Sequence, residues 1–166
     1  MLESRTRAWY YKCQFDDELS DRVHQGFDAM KQRRYSRWVY PDKPLTHVGQ
    51  GTEHVVLSLN YNIDNVPLAL RIPLHGIGRS WEESRTAQDI EAFVKAEYYE
   101  KVPEFVLPVQ GKVGDKTHYA HLVPLYEGKE QGNCIIVNGT HILIDPESML
   151  MKPNTSFKPY IVGQDL

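Results

Sequence analysis

The sequence predicts an α+β domain: a five-stranded antiparallel sheet with one helix, followed by a β-hairpin. Three observations lead there. Runs rich in Val, Ile, Leu and Tyr come in pairs with Gly, Asn and Asp between them, as hairpins require. Two other segments carry apolar residues at helical spacing. Asn138-Gly139 separates two short apolar runs, and that dipeptide favours a two-residue hairpin turn.

The elements follow in order. Residues 1–45 read as an N-terminal helical arm, 46–148 as the core and 149–166 as a tail, within one domain. In the arm, Leu19, Val23, Phe27 and Met30 recur at spacings of four, four and three, so they share a helical face. Asp16 is placed to cap that helix and Gly26 to interrupt it. Residues 46–60 and 66–73 read as strands joined by the turn Asn60–Asn65, and Pro73 stops the pairing. Ser80 and Glu83 form a capping box for a helix over 81–101. Ala87, Ile90, Val94 and Tyr98 are its core stripe, and Pro103 ends it. Residues 105–112 and 116–125 form a hairpin turned at Val113-Gly114-Asp115, and 133–137 with 141–145 form the last one. The tail holds Pro153 and Pro159 and reads as a surface wrap.

The chain has 166 residues, 41 % apolar and 25 % charged, with a formal charge of −3. That balance fits a globular domain and gives no reason to expect nucleic acid or an acidic membrane as partner. No apolar run is long enough to cross a bilayer, and the start lacks a secretory pattern, so a cytoplasmic location is expected. Cys13 and Cys134 make no disulfide framework, and Cys134, in an apolar strand, reads as a buried thiol. His118 and His121, three apart on one strand, face opposite sides, which argues against a shared metal.

The segment 48–71 carries the most chemistry. Val48-Gly49-Gln50-Gly51-Thr52-Glu53-His54-Val55-Val56 is a Gly-x-Gly turn leading into a β-branched strand, and Ala69-Leu70-Arg71 brings a cation to the next strand. Gly49 and Gly51 let backbone N–H groups approach phosphate oxygens with no Cβ in the way. Arg71 can hold phosphates as a bidentate cation. The plainer alternatives are a hairpin bend without a ligand and an arginine paired with a neighbouring carboxylate. A second segment sets Asn133 before one apolar strand and Asp145 after the next. Both offer oxygen to Mg²⁺, while strand-entry capping and an Asp145-Pro146 turn are the plainer roles. For Asp145 the functional role leads, because an ionised group closing an apolar strand is costly without a partner.

The order and spacing of these motifs, over residues 46–148, resemble the protein-kinase fold. Gly49 to Val56 is seven positions, Val56 to Arg71 fifteen and Asn133 to Asp145 twelve. These are similar to the family's glycine-rich loop, its phosphate-pairing lysine and the gap between its two metal ligands. The nearest likeness is to the early serine/threonine kinase of short-tailed bacteriophages, through Gly132-Asn133, Asn138-Gly139 and Asp145-Pro146. The resemblance implies a kinase-like small lobe with most of the helical lobe missing, and ATP with Mg²⁺ as ligands. It makes Glu91, or less well Glu83, the helix glutamate that holds Arg71, with a solvated helix glutamate as the plainer alternative. It also makes 121–126 a hinge, with Leu125 against the nucleotide.

The departures from the family carry as much information. Its catalytic aspartate would fall at Gly128, and only Glu127 and Glu130 stand near enough to be recruited as a base. Arg71 replaces lysine, and His54 replaces the third loop glycine. No helical lobe follows Asp145, although the N-terminal arm can fill part of that space. Three functions fit. The first is a pseudokinase-like protein that binds ATP weakly and acts on a protein partner, as a phage host-takeover factor would in the host cytoplasm. The second is an active minimal serine/threonine protein kinase. The third is a small α+β structural or assembly protein without nucleotide. The arm's Trp9, Tyr10, Tyr11, Tyr35, Trp38 and Tyr40 suit either partner contacts or core packing.

Overall fold

The computed structural model describes residues 1–13, 16–32, 45–148, 151–153 and 157–161. The arm forms α1 (Leu2–Cys13) and α2 (Asp17–Gln32). The core forms β1 (Thr46–Gln50), β2 (His54–Ile63), β3 (Val66–Pro73), α3 (Arg85–Ala96), β4 (Leu107–Val113) and β5 (Lys116–Pro124). Then come β6 (Lys129–Gln131), β7 (Cys134–Val137), β8 (Thr140–Leu143) and β9 (Tyr160–Ile161). Strands β1 to β5 make the expected five-stranded antiparallel sheet, in the order β1-β2-β3-β5-β4. The α+β class holds.

The turns explain the register. Asp64 and Asn65 both take positive φ, 50° and 64°, which is the hairpin turn that matches strand twist. The strand before them runs on to Ile63, because Asn60 is not the start of the turn. It sits at an irregularity in the β2–β3 pairing between Ser58 and Asn62, with φ 50°. Asn138 and Gly139 form the second such turn, with φ 50° and 79°. The last hairpin gains a third strand, β6, paired with β7. That pairing needs glycine ahead of it: a Cβ at Gly128 would lie 2.2 Å from the Ile136 carbonyl oxygen.

Helix α2 behaves as its spacing predicts. Leu19, Val23, Phe27 and Met30 are all buried, and Asp16 Oδ1 accepts the Leu19 N–H at 2.8 Å. Gly26 does not interrupt the helix. It lets α2 approach β3 closely, since a Cβ there would sit 2.7 Å from Leu70 Cδ2. Helix α1 packs Trp9 on Phe105 with ring centroids 4.5 Å apart. Trp9 and Tyr10 are therefore core and Tyr11 is exposed, while Tyr35, Trp38 and Tyr40 lie outside the described residues.

Helix α3 starts later than expected. Ser80 makes no side-chain cap bond, and Trp81–Glu83 is a single 3-10 turn. Ser84 is the N-cap and accepts the Ala87 N–H at 3.1 Å. The helix is over by Ala96, so Tyr98, expected in the core stripe, falls beyond it and is 77 % exposed. Phe93 joins Ala87 and Ile90 in the buried stripe, and Val94 is only partly buried. Cys134, expected to be buried, is partly exposed on β7. His118 and His121 do face opposite sides: His118 packs on Phe27 of α2 and His121 on Phe93 of α3.

The tail is more than a wrap. Phe157 is buried, its carbonyl accepts the Trp81 Nε1–H at 3.2 Å, and β9 pairs parallel to β4. Among the described residues no helix is long and apolar enough to cross a membrane.

Candidate functional site

Residues two apart on a strand share a face. His54 and Val56 on β2, Ala69 and Arg71 on β3, and His121 and Val123 on β5 share the face that α3 covers. The pairings Val56↔Arg71, Arg71↔His121 and Ala69↔Val123 set them side by side. One end of this array is apolar and the other is polar. The second sheet stands opposite, with Ile135 and the Ile144–Asp145 segment facing it.

A cleft lies between the two sheets. Its apolar end, about 290 Å³, is lined by Val48, Val56, Ala69, Val123, Leu125 and Ile135. Its polar end, about 280 Å³, is lined by Gly49, Gly51, Glu53, His54, Arg71 and Asp145. Both ends share Arg71, Val56, Glu130 and Ile144, so they are continuous.

Most of the predicted site residues meet here. A Cβ at Gly49 or Gly51 would touch nothing within 4 Å, so the protein's own packing does not fill the space beside the turn. The Gly51 N–H already donates to the His54 carbonyl at 2.9 Å, which closes the turn and takes that donor out of the cleft. Leu125 lines the apolar end, where its own N–H donates to the Pro67 carbonyl at 2.7 Å.

Arg71 is largely buried. Its Nη2 lies 3.7 Å from Asp145 Oδ1, a charge contact too long for a hydrogen bond. Among the described residues its Nε has no partner. Burial lowers the guanidinium pKa, while Asp145, Asp89 and Glu130 raise it.

The Asp145 N–H donates to the Asn133 carbonyl at 3.1 Å, so the two predicted metal ligands are neighbours at the base of β7 and β8. They line a further cavity with Glu53, Arg85 and Ser148. Among the described residues no three His, Cys, Asp or Glu side chains group closely enough to hold a metal by themselves. An ion at Asp145 would take its other ligands from phosphate and water, as Mg²⁺ usually does.

Other predicted residues stand apart. Glu91 lies 4.0 Å from Lys95, and the charges that bear on Arg71 do not include it. Glu83 is exposed on the 3-10 turn. Glu127 is exposed and lines neither end of the cleft, whereas Glu130 borders both. Of the N-terminal arm, α1 reaches the α3 side of the sheet, where the Leu2 N–H donates to Glu97 Oε1 at 2.9 Å and Leu2 shares a core cluster with Phe93 and Leu143. Helix α2 packs on β2, β3 and β4 across the sheet from α3, and no helix follows Asp145 among the described residues.

The acid that sequence reasoning missed is Asp89. It is fully buried on α3 and accepts from three groups: His54 Nε2 at 2.8 Å, Arg85 Nε at 3.1 Å and Ser148 Oγ at 2.5 Å. Arg85 also reaches Glu53 at 3.0 Å, which ties the glycine turn, α3 and the segment after β8 together. Burial alone pushes the Asp89 carboxyl up, but the His54 and Ser148 contacts outweigh it and hold the group down at about 2. His121 is the opposite case. It is fully buried, neither ring nitrogen has a partner among the described residues, and burial drives it down to about 3. A charge beside the stripe residue Ile90, and one turn before Phe93, was the available signal for Asp89.

In comparisons with known proteins, no family model matches the chain, and no curated protein or solved structure matches it. The functional reading rests on the cleft.

Proposed function

We propose that this chain is a degenerate protein-kinase-like protein that binds ATP with Mg²⁺ weakly and acts through a protein partner. One observation carries the reading. Arg71 and Asp145, far apart in sequence, come within 3.7 Å across a cleft whose other end is apolar. A flat heterocycle suits the end made by Val56, Ala69, Val123 and Ile135, and phosphates suit the end at Arg71. Asp145, with Asn133 beside it, would take Mg²⁺ together with phosphate oxygens.

The missing base favours binding over transfer. Gly128 occupies the position of the family's catalytic aspartate, and with the Ile136 carbonyl 2.2 Å from a Cβ built there, no side chain fits. The runner-up, an active minimal serine/threonine kinase, draws on Glu130, which borders the cleft and bears on Arg71.

Thermal unfolding with and without millimolar MgATP tests the reading. A ligand that binds only the folded state raises Tm. The wild type is expected to shift upward, and Arg71→Gln to lose most of that shift, since a charge-assisted contact is worth about 1.5–3 kcal/mol. No wild-type shift would overturn nucleotide binding and leave the structural or assembly role. Radiolabelled phosphate transfer that Glu130→Gln abolishes would replace the binder with the enzyme.

A further inference from the structure

His54 stands where the resemblance expects a third loop glycine, and nothing in the proposed role of Arg71 or Asp145 uses it. It is nearly fully buried, lies at the inner wall of the polar end of the cleft, and is fixed by one strong contact, Nε2 to Asp89 Oδ2 at 2.8 Å. An ionised Asp89 can only accept, so Nε2 carries the hydrogen and Nδ1 is the ring's basic atom.

We propose that His54 is an anion-sensing residue of the polar end, positioned by Asp89, and that it takes up one proton from solvent when a polyphosphate binds there. This rests on the reading of the cleft as a polyphosphate site. The proton goes to Nδ1, giving an imidazolium between the Asp89 carboxylate and the incoming anion.

The charged and titratable surroundings support this. On α3, Asp89 is partnered by Arg85, whose other carboxylate is Glu53 on the glycine turn. On β3, Arg71 supplies one fixed positive charge to the same compartment. On β5, His121 lies with its ring 6.2 Å from the His54 ring and is held neutral by burial, and His118 is likewise pushed down by burial. From the second sheet, Asp145 and Glu130 add negative charge. Before a ligand arrives Arg71 thus faces Asp145 and Glu130, while the third carboxylate of the lining, Glu53, is paired with Arg85. A polyphosphate adds several more negative charges, and His54 is the imidazole of this wall whose Nε2 is held by a carboxylate. His75, whose ring bonds the Thr52 carbonyl at 3.2 Å, is the other imidazole at the turn, and substitution separates the two.

Calorimetric titration of the full chain with tripolyphosphate, MgATP and adenosine tests the idea, from about pH 6 to pH 8 in two buffers of different ionisation enthalpy. Tripolyphosphate and MgATP are expected to bind with uptake approaching one proton, and to weaken by up to about tenfold per pH unit as pH rises. Adenosine is expected to take up none. His54→Gln should bind the anions with no buffer dependence, and Asp89→Asn should lose most of the uptake. Anion binding without proton uptake, or uptake that survives in His54→Gln, overturns the inference and leaves the nucleotide reading standing. No binding by either anion overturns both. Should His54→Gln fail to fold, ring NMR signals of wild-type His54 decide: they should titrate at higher pH with tripolyphosphate than without it, and an unchanged midpoint overturns the inference.

Discussion

The two faces of the main sheet follow different rules. Under α2 the contact is mainly apolar: Phe27, Val23 and Leu19 press on Leu57, Leu70 and Val109, all fully buried, and the buried His118 beside Phe27 is bonded to the Pro73 carbonyl at 2.8 Å. Under α3 the same strands present His54, Arg71 and His121, with Asp89 buried among them. Apolar burial of the first kind is strongly stabilising. The second face keeps polar atoms out of water, and some of them, Arg71 Nε and both His121 nitrogens, have no partner among the described residues. Such groups cost stability, and proteins concentrate them where they bind or react. The contrast places stability on one side of a single sheet and chemistry on the other.

The largest expected effect tests the stability side. Phe27→Ala should lower unfolding free energy by about 3–5 kcal/mol in urea, because the ring is fully buried and leaves a cavity. A loss below about 1 kcal/mol would break the contrast.

Asp89→Ala comes next, at about 3 kcal/mol, since it strands His54, Arg85 and Ser148 around a vanished acceptor. A neutral result would mean the network is not holding α3.

His121 makes a pH prediction. Its value is depressed from 6.5 to about 3, so the unfolded chain binds the extra proton between those limits. Its neutral form is fully tolerated above pH 6.5, and stability is lost as pH falls toward 3, at up to about 1.4 kcal/mol per pH unit. Asp89 adds a separate loss below its ordinary 3.8, continuing toward 2. Denaturation midpoints across this range should show the slope, and His121→Phe should flatten its upper part. A wild type indifferent to pH between 6.5 and 4 would refute the account of His121.

The smallest effect sharpens the choice of acid on α3. Glu91→Gln should change stability by no more than about 1 kcal/mol, because the carboxylate, although buried, meets an exposed Lys95 only at 4.0 Å and the amide keeps its shape. A loss as large as that of Asp89→Ala would return Glu91 to the site.

Strands were legible because their turns are: Gly114 and Asn138-Gly139 announce themselves by residue type, whereas the turn read over Asn60–Asn65 narrows to Asp64-Asn65 because Asn60 and Asn62 in that stretch offer similar signals. Helix α2 was legible from its spacing and from Asp16. The start of α3 was not, because Ser80 and Ser84 offer similar local signals and only packing decides between them. Gly49, Gly51, Arg71, Leu125 and Asp145 could be placed in one cleft because order and spacing suggested it. Glu91 and Asp89 differ by two residues and both are buried, and the helix has to be docked before one can tell which carboxylate meets His54 and Arg85. His54 and His121 are a non-local pair. Strand alternation places each on the cleft face, but only the β2-β3-β5 pairing brings them together. β9 had no period to read, since two residues are too few to show one.

Gly26 has a practical consequence. A glycine inside a helix is an obvious target for thermostabilisation, since alanine there is worth about 1 kcal/mol in backbone entropy. In this chain the added methyl would collide with the buried Leu70 side chain at 2.7 Å, and overpacking of that kind costs about 1–3 kcal/mol. Engineers working on this protein should leave that residue alone and look for gains on the outer side of α2.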